Sequence, residues 1–251
     1  MKHDRGDLEG AVGDYDLALE RGPTLADAYH MRPWARKTKG QLEIALADCM
    51  KEIELKPVDP SGYELRAAIR SEQKRHSEAL EDLNLAIKLA PKLHSLYWSR
   101  GLTLTALGRE EDAISDYTRA IEIDPNRADY RVFRGQRLHA LGRFEEAIQD
   151  HSQALEVDPT NRRVYAFRGH SRLARGDYDR ALADLSRSVE RESEEWEYLL
   201  KEFPSGTRIA RLEQGKEVAD LARNLERALV AGYSRTLERE PENAWVYLSR
   251  G

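Results

Sequence analysis

The sequence predicts an all-α protein built as a stack of antiparallel helix pairs. Three observations point there. Prolines recur 34 residues apart, at Pro23, Pro57, Pro91, Pro125 and Pro159. Alanines keep the same interval at Ala11, Ala45, Ala79, Ala113, Ala147 and Ala181. So do glycines at Gly6, Gly40, Gly108, Gly142 and Gly176, with Lys74 in the missing place. Apolar residues between these marks follow helical spacing. A period of this length with helical patterning describes a helix–turn–helix unit. One such unit cannot bury its apolar face alone, so stacking of neighbours makes the core.

Residues 94–127, HSLYWSRGLTLTALGREEDAISDYTRAIEIDPNR, show how each element arises. Leu96, Tyr97, Arg100, Gly101 and Leu104 mark one face of a first helix. Gly108 ends it, being free to adopt positive φ. Ala113, Ile114, Tyr117, Ala120 and Ile121 form the stripe of a second helix, which Pro125 stops. A further small-residue series, Gly101, Gly135 and Gly169, preceded by Ala67 and Pro33, falls where the paired helices approach closely.

The period divides the chain into units 1–25 (a second helix only), 26–59, 60–93, 94–127, 128–161 and 162–193. Residues 1–193 are thus the regular part. Residues 194–243 read as an irregular unit with 14 extra residues, a turn at Pro204-Ser205-Gly206 and a long second helix capped by Thr207. Residues 244–251 read as the start of another unit, since Tyr247, Arg250 and Gly251 repeat the spacing of Tyr97, Arg100 and Gly101. The chain is therefore expected to start and stop inside a unit, as if cut from a longer array.

Composition bounds the function. Of 251 residues, 40% are hydrophobic and 34% charged, and no apolar stretch approaches the ~18 residues of a spanning helix. The charged start carries no secretory signal, and a cytoplasmic location is expected. The single cysteine, Cys49, excludes an intramolecular disulfide and a cysteine-based zinc cluster. A net charge of −5 argues against bulk attraction to nucleic acid or an anionic membrane. The arginine-rich stretch 162–191 is interleaved with acids and does not reverse that expectation.

The residues Tyr97, Gly101, Gly108, Ala113, Ala120 and Pro125, and Tyr165, Gly169, Gly176 and Ala181, resemble the tetratricopeptide repeat, closely over about 6–190 and weakly beyond. The resemblance implies a right-handed α-solenoid, a superhelix whose first helices line a concave groove for peptides or partner segments. Groove places taken over by position include His30, Trp34, Trp98, Leu102, Phe133, Gln136, His139, Phe167 and His170. These are the expected partner-binding residues, because aromatic anchors dominate interface energetics. Some members of the family clamp a partner's terminal carboxylate with Lys, Asn and Arg. Here the relevant places hold Glu64, Ala68, Ser99 and Asp129, so that specialisation is not expected.

Arginine outnumbers lysine 30 to 10. Part of the excess is one residue per unit, Arg32, Arg66, Arg100, Arg134 and Arg168, with Arg250 in the tail, at a place that is apolar in most of the family. A matching acidic series runs Asp14, Asp48, Asp82, Asp116, Asp150 and Asp184. Each arginine lies 16 residues before one aspartate and 18 after another. We expect a structural ladder of ion pairs, because the planar guanidinium suits a partly buried bidentate contact. The spacing leaves open whether pairing is within or between units.

No catalytic motif emerges. The 7 histidines show no metal-binding spacing, and there is no nucleophile elbow, phosphate loop or calcium loop. His151 and Cys49 share a second-helix core column with Tyr117 and Leu83, so both read as packed residues. Expected cofactors and metals are therefore none. The leading expectation is a non-catalytic scaffold for a protein or peptide, with no nucleic-acid or membrane partner. The second is a regulatory arm of a larger enzyme such as a kinase or transferase. Truncated end repeats would then favour end-to-end self-association.

Overall fold

In the computed structural model, residues 8–22 and 24–188 are described. The irregular unit at 194–243, the start of a unit at 244–251 and Gly6 lie outside them. The chain forms two compact units, residues 1–125 and 126–251. In the first, the described helices are α1 (Leu8–Arg21), α2 (Ala26–Thr38), α3 (Leu42–Leu55), α4 (Pro60–Glu72), α5 (His76–Leu89), α6 (His94–Ala106) and α7 (Glu110–Ile123). In the second they are α8 (Ala128–Ala140), α9 (Phe144–Val157), α10 (Arg162–Arg175) and α11 (Tyr178–Ser188). No strand occurs among the described residues. Each first helix packs on the second helix that follows it, as in α4 with α5 and α8 with α9. Within each unit the second helix also packs on the next first helix, as in α5 with α6 and α9 with α10.

The periodic residues define the ends. Gly40, Gly108, Gly142 and Gly176 have φ of +73°, +72°, +76° and +87°. At Gly108 the chain closes a Schellman turn: Arg109 N–H donates to the Leu104 carbonyl at 2.9 Å. Lys74 adopts the same left-handed conformation at φ 61°, where a side chain is disfavoured. Asp59 caps α4 by accepting from Ser61 N–H at 2.9 Å, with Pro60 in the first turn. Tyr63 and Tyr97 donate to the carbonyls of Pro57 and Pro91 at 3.1 and 3.0 Å, tying each first helix to the turn before it.

The close approach inside a pair is a matter of size matching. A Cβ on Gly101 would lie 2.6 Å from the Tyr117 ring, and one on Gly135 would lie 2.6 Å from His151. On Gly169 it would meet Leu185 at 2.8 Å. Where the first helix carries Ala67, the opposing residue is Leu83, and the two share one core cluster. The larger first-helix residue Pro33 sits in the pair whose second-helix place holds the small Cys49, and both are fully buried. Cys49 is thus a packed apolar residue, and burial pushes its thiol far above the usual range. His151 is buried completely, and burial, aided by nearby His139, pushes its pKa down to about 3.

The arginine series holds the pairs together. Arg100 Nε and Nη2 donate to both carboxylate oxygens of Asp116 at 2.7 Å. Arg134 does the same to Asp150 at 2.8 and 2.6 Å, and Arg168 to Asp184 at 2.8 Å on both arms. Arg66 grips Asp82 at 3.0 and 2.5 Å, and Arg32 grips Asp48 in the same two-armed way. The five aspartates are at most 5% exposed. The hydrogen bond to the carboxylate raises the pKa of Arg66, Arg100 and Arg134 against the opposing effect of burial.

Pairing with the periodic aspartates is therefore within the unit. In Arg32, Arg100 and Arg168 the remaining arm reaches the preceding second helix. Arg32 Nη1 donates to Asp16 at 2.7 Å, Arg100 to Asn84 at 2.8 Å and Arg168 to Ser152 at 3.1 Å. The partner is the residue 16 before the arginine, not the aspartate 18 before it, and Asp14 is exposed. The reason is occupancy: Asp82, for example, already receives Arg66 and Arg70. Tyr29, Tyr63, Tyr97 and Tyr165 lie under the guanidinium faces at 5.4–5.7 Å.

Asp116→Ala leaves Arg100 without its carboxylate and should cost about 3–5 kcal/mol in urea unfolding. Asp112→Ala removes only an exposed pair with Arg109 and should be indistinguishable from wild type. Gly101→Ala should cost about 1–3 kcal/mol by overpacking. Gly101→Ala/Tyr117→Leu, which copies the Ala67–Leu83 pair, should recover part of that loss, a non-additivity that the same unfolding curves report. His151 stays neutral in the fold, whereas in the unfolded chain it takes a proton near pH 6.5. Stability from this group is therefore complete above that pH and lost as pH falls toward about 3. His151→Leu should flatten the acid limb of stability against pH, by up to about 1.4 kcal/mol per pH unit.

Candidate functional site

The first helices place the expected partner-binding residues. In the first unit they are α2, α4 and α6, with α2 packed on α4 and α4 on α6. His30 and Trp34 project from α2, and Trp98 and Leu102 from α6. They are thus not neighbours: α4 runs between them, presenting Glu64 and the exposed Ala68. In the second unit α8 carries Phe133, Gln136 and His139, and the adjacent α10 carries Phe167 and His170.

The residues differ in how free they are. Trp34 is 55% exposed, although Pro33 beside it is fully buried within the helix. Trp98, Leu102, Gln136 and Phe167 are half-buried. Phe133 is only 6% exposed, so the expected surface anchor is part of the packed core instead. Phe167, at the equivalent place on α10, stays half-buried, so the helix position alone does not set exposure.

His30 is engaged. Its Nδ1 lies 2.8 Å from Glu52 Oε1, and that hydrogen bond raises its pKa despite partial burial. Glu52 is 2% exposed and stands in the column occupied by Ala86, Ala120 and Ala154. Room for it comes from Gly62, where a Cβ would meet Ile53 at 2.9 Å and the Glu52 carboxyl carbon at 3.3 Å. His139 Nδ1 contacts Ser171 Oγ at 3.0 Å, and its ring tilts against Phe144 at 5.3 Å. Since Ser171 Oγ donates to the Phe167 carbonyl, the contact calls for a proton on His139 Nδ1. His170 is pushed down in pKa by burial, and the Phe167 ring sits 5.9 Å from that of His151. No group of three or more metal-ligating side chains occurs among the described residues.

Glu64, a groove place by position but not one of the expected partner-binding residues, lies on the same face. Burial raises its pKa, opposed by hydrogen bonds from Ser95 and Ser99 of α6. The available signal was its place, between two tryptophan-bearing helices and one unit before two serines set one turn apart.

The comparisons agree with this geometry. Residues 94–127 and 128–161 each match the tetratricopeptide repeat family model. No curated protein matches the chain. Among solved structures, YrrB, a tetratricopeptide-repeat protein with an unusual peptide-binding site, is 20% identical with a TM-score of 0.60, covering 84% of this chain and 97% of that one. A tetratricopeptide repeat protein from Parabacteroides merdae ATCC 43184 is 20% identical with a TM-score of 0.64, covering 99% and 94%. The Pseudomonas aeruginosa pilF protein is 18% identical with a TM-score of 0.65, covering 84% and 91%. Identities this low speak for the fold alone. Residues 94–161 are thus two tetratricopeptide repeats, and the described helix pairs on both sides of them keep the same period.

Proposed function

We propose that the chain is a non-catalytic interaction module whose first-helix faces receive an extended peptide or a partner segment. The observation that carries this is Trp34, a tryptophan 55% exposed on a face built from helices that otherwise bury their large apolar residues. Half-buried Trp98 and Leu102 extend the same kind of surface on α6, and Gln136, His139 and Phe167 extend it on the face of the second unit. The arginine clamps fix the helices before any partner arrives, so little ordering cost falls on this side of the interface. The peptide-binding site named for YrrB is consistent with such a use of this fold. No described helix is long and apolar enough to cross a membrane.

The test compares proteins captured from cell extract by the wild-type chain and by a Trp34→Ala/Trp98→Ala variant, with circular dichroism as the check on folding. A set of partners should be lost from the folded variant. Equal capture of every partner by both would overturn the proposal.

A further inference from the structure

Glu64 lies on the first-helix face of the first unit and is half-buried. Ser95 and Ser99 of α6 favour the charged form of its carboxylate, as do His30 and His94. Those serines are one turn apart on α6 and bracket Trp98 in sequence. On the other side of α4 stands α2 with its exposed Trp34. One turn along α4 from Glu64 is Ala68, exposed and too short to cover the carboxylate.

The other acids around this face have cations. Glu52 meets His30 at 2.8 Å, and Glu72 meets Lys37 Nζ at 2.7 Å. Glu64 makes no ion pair among the described residues, and its charged form is favoured by Ser95, His30, His94 and Ser99, in that order. Burial without an ion-pair partner penalises its charged form. Nothing in the helix pairing requires that penalty, since the equivalent place on α6 holds Trp98 and on α8 holds Val132.

We propose that Glu64 recognises a lysine or arginine side chain of an extended peptide lying along α2, α4 and α6, with Trp34 and Trp98 flanking the stem of that side chain. This rests on the reading of the face as a peptide site and adds the chemistry of the occupant. Tryptophan faces add attraction for the same cation. A lone carboxylate does not suit a divalent metal, which needs several oxygen ligands.

The experiment uses the full chain and arrays of decapeptides with random flanks and a fixed central residue: lysine or arginine, norleucine, or glutamate. Wild type should prefer the basic centre over norleucine by about tenfold, less at high salt. Glu64→Gln should abolish that preference while keeping the norleucine-centred peptides, and should melt at or above the wild-type temperature. Glu64→Lys should turn the preference toward glutamate. Wild-type binding without a basic preference, or a preference that survives in Glu64→Gln, overturns this proposal and leaves the peptide site standing. A clear fall in melting temperature for Glu64→Gln also overturns it, because the carboxylate would then be structural. Absence of peptide binding by wild type, or binding unchanged in Trp34→Ala/Trp98→Ala, overturns both.

Discussion

The arginine in each first helix is the contact on which the stack depends. In Arg100, as in Arg32 and Arg168, one planar cation satisfies three neighbours at once. Two arms grip an aspartate on the following helix, a third arm reaches the preceding second helix, and the face rests on a tyrosine of its own helix. Lysine has a single ammonium and could not make these contacts together. Net stabilisation from a buried pair is small, since desolvation offsets most of the attraction. What the clamp supplies is register, because a first helix shifted by one residue would leave both charges buried and unmatched. The paired columns therefore set which side chains each first helix turns outward.

Much of this was legible in the sequence because a repeat writes the same physics several times. The turn glycines, the prolines and the arginine and aspartate columns were all visible as intervals. The partner of the third arm was not, because it falls on Asp16, Asn84 and Ser152, three residue types with no common letter. Size matching was also hidden. Gly101 faces Tyr117, Gly135 faces His151 and Ala67 faces Leu83, a small residue against a larger one each time, and that match does not show in either column alone.

The candidate site was less legible, for a related reason. Groove places are defined by position on a helix, and position does not fix exposure. Trp34 and Phe133 were both expected at the surface, yet one is 55% exposed and the other 6%. Phe167, which stands at the place of Phe133 one unit later, is half-buried, so even one helix position gives different exposures. His30 likewise reads as a free groove residue until Glu52 is seen to replace the alanine of its column. Substitutions that break a repeat's own rule were the informative ones: Glu52 with Gly62, and Lys74 in the place of a glycine.

The same contrast separates architecture from recognition along the whole face. Charges that serve the fold here are matched: arginine with aspartate, Glu72 with Lys37, Glu52 with His30. They recur in columns or come with a compensating neighbour. Glu64 has no column and no ion pair among the described residues, and the hydroxyls that favour its charge, those of Ser95 and Ser99, lie on the next first helix, not on the helix it pairs with. A residue that costs the fold something, recurs nowhere else in the array and sits between two tryptophan-bearing helices answers to a need outside the fold. In an array whose other units hold His30, Trp98, Val132 and Ala166 at that place, such a singular side chain is the means by which repeated scaffolding acquires a particular partner.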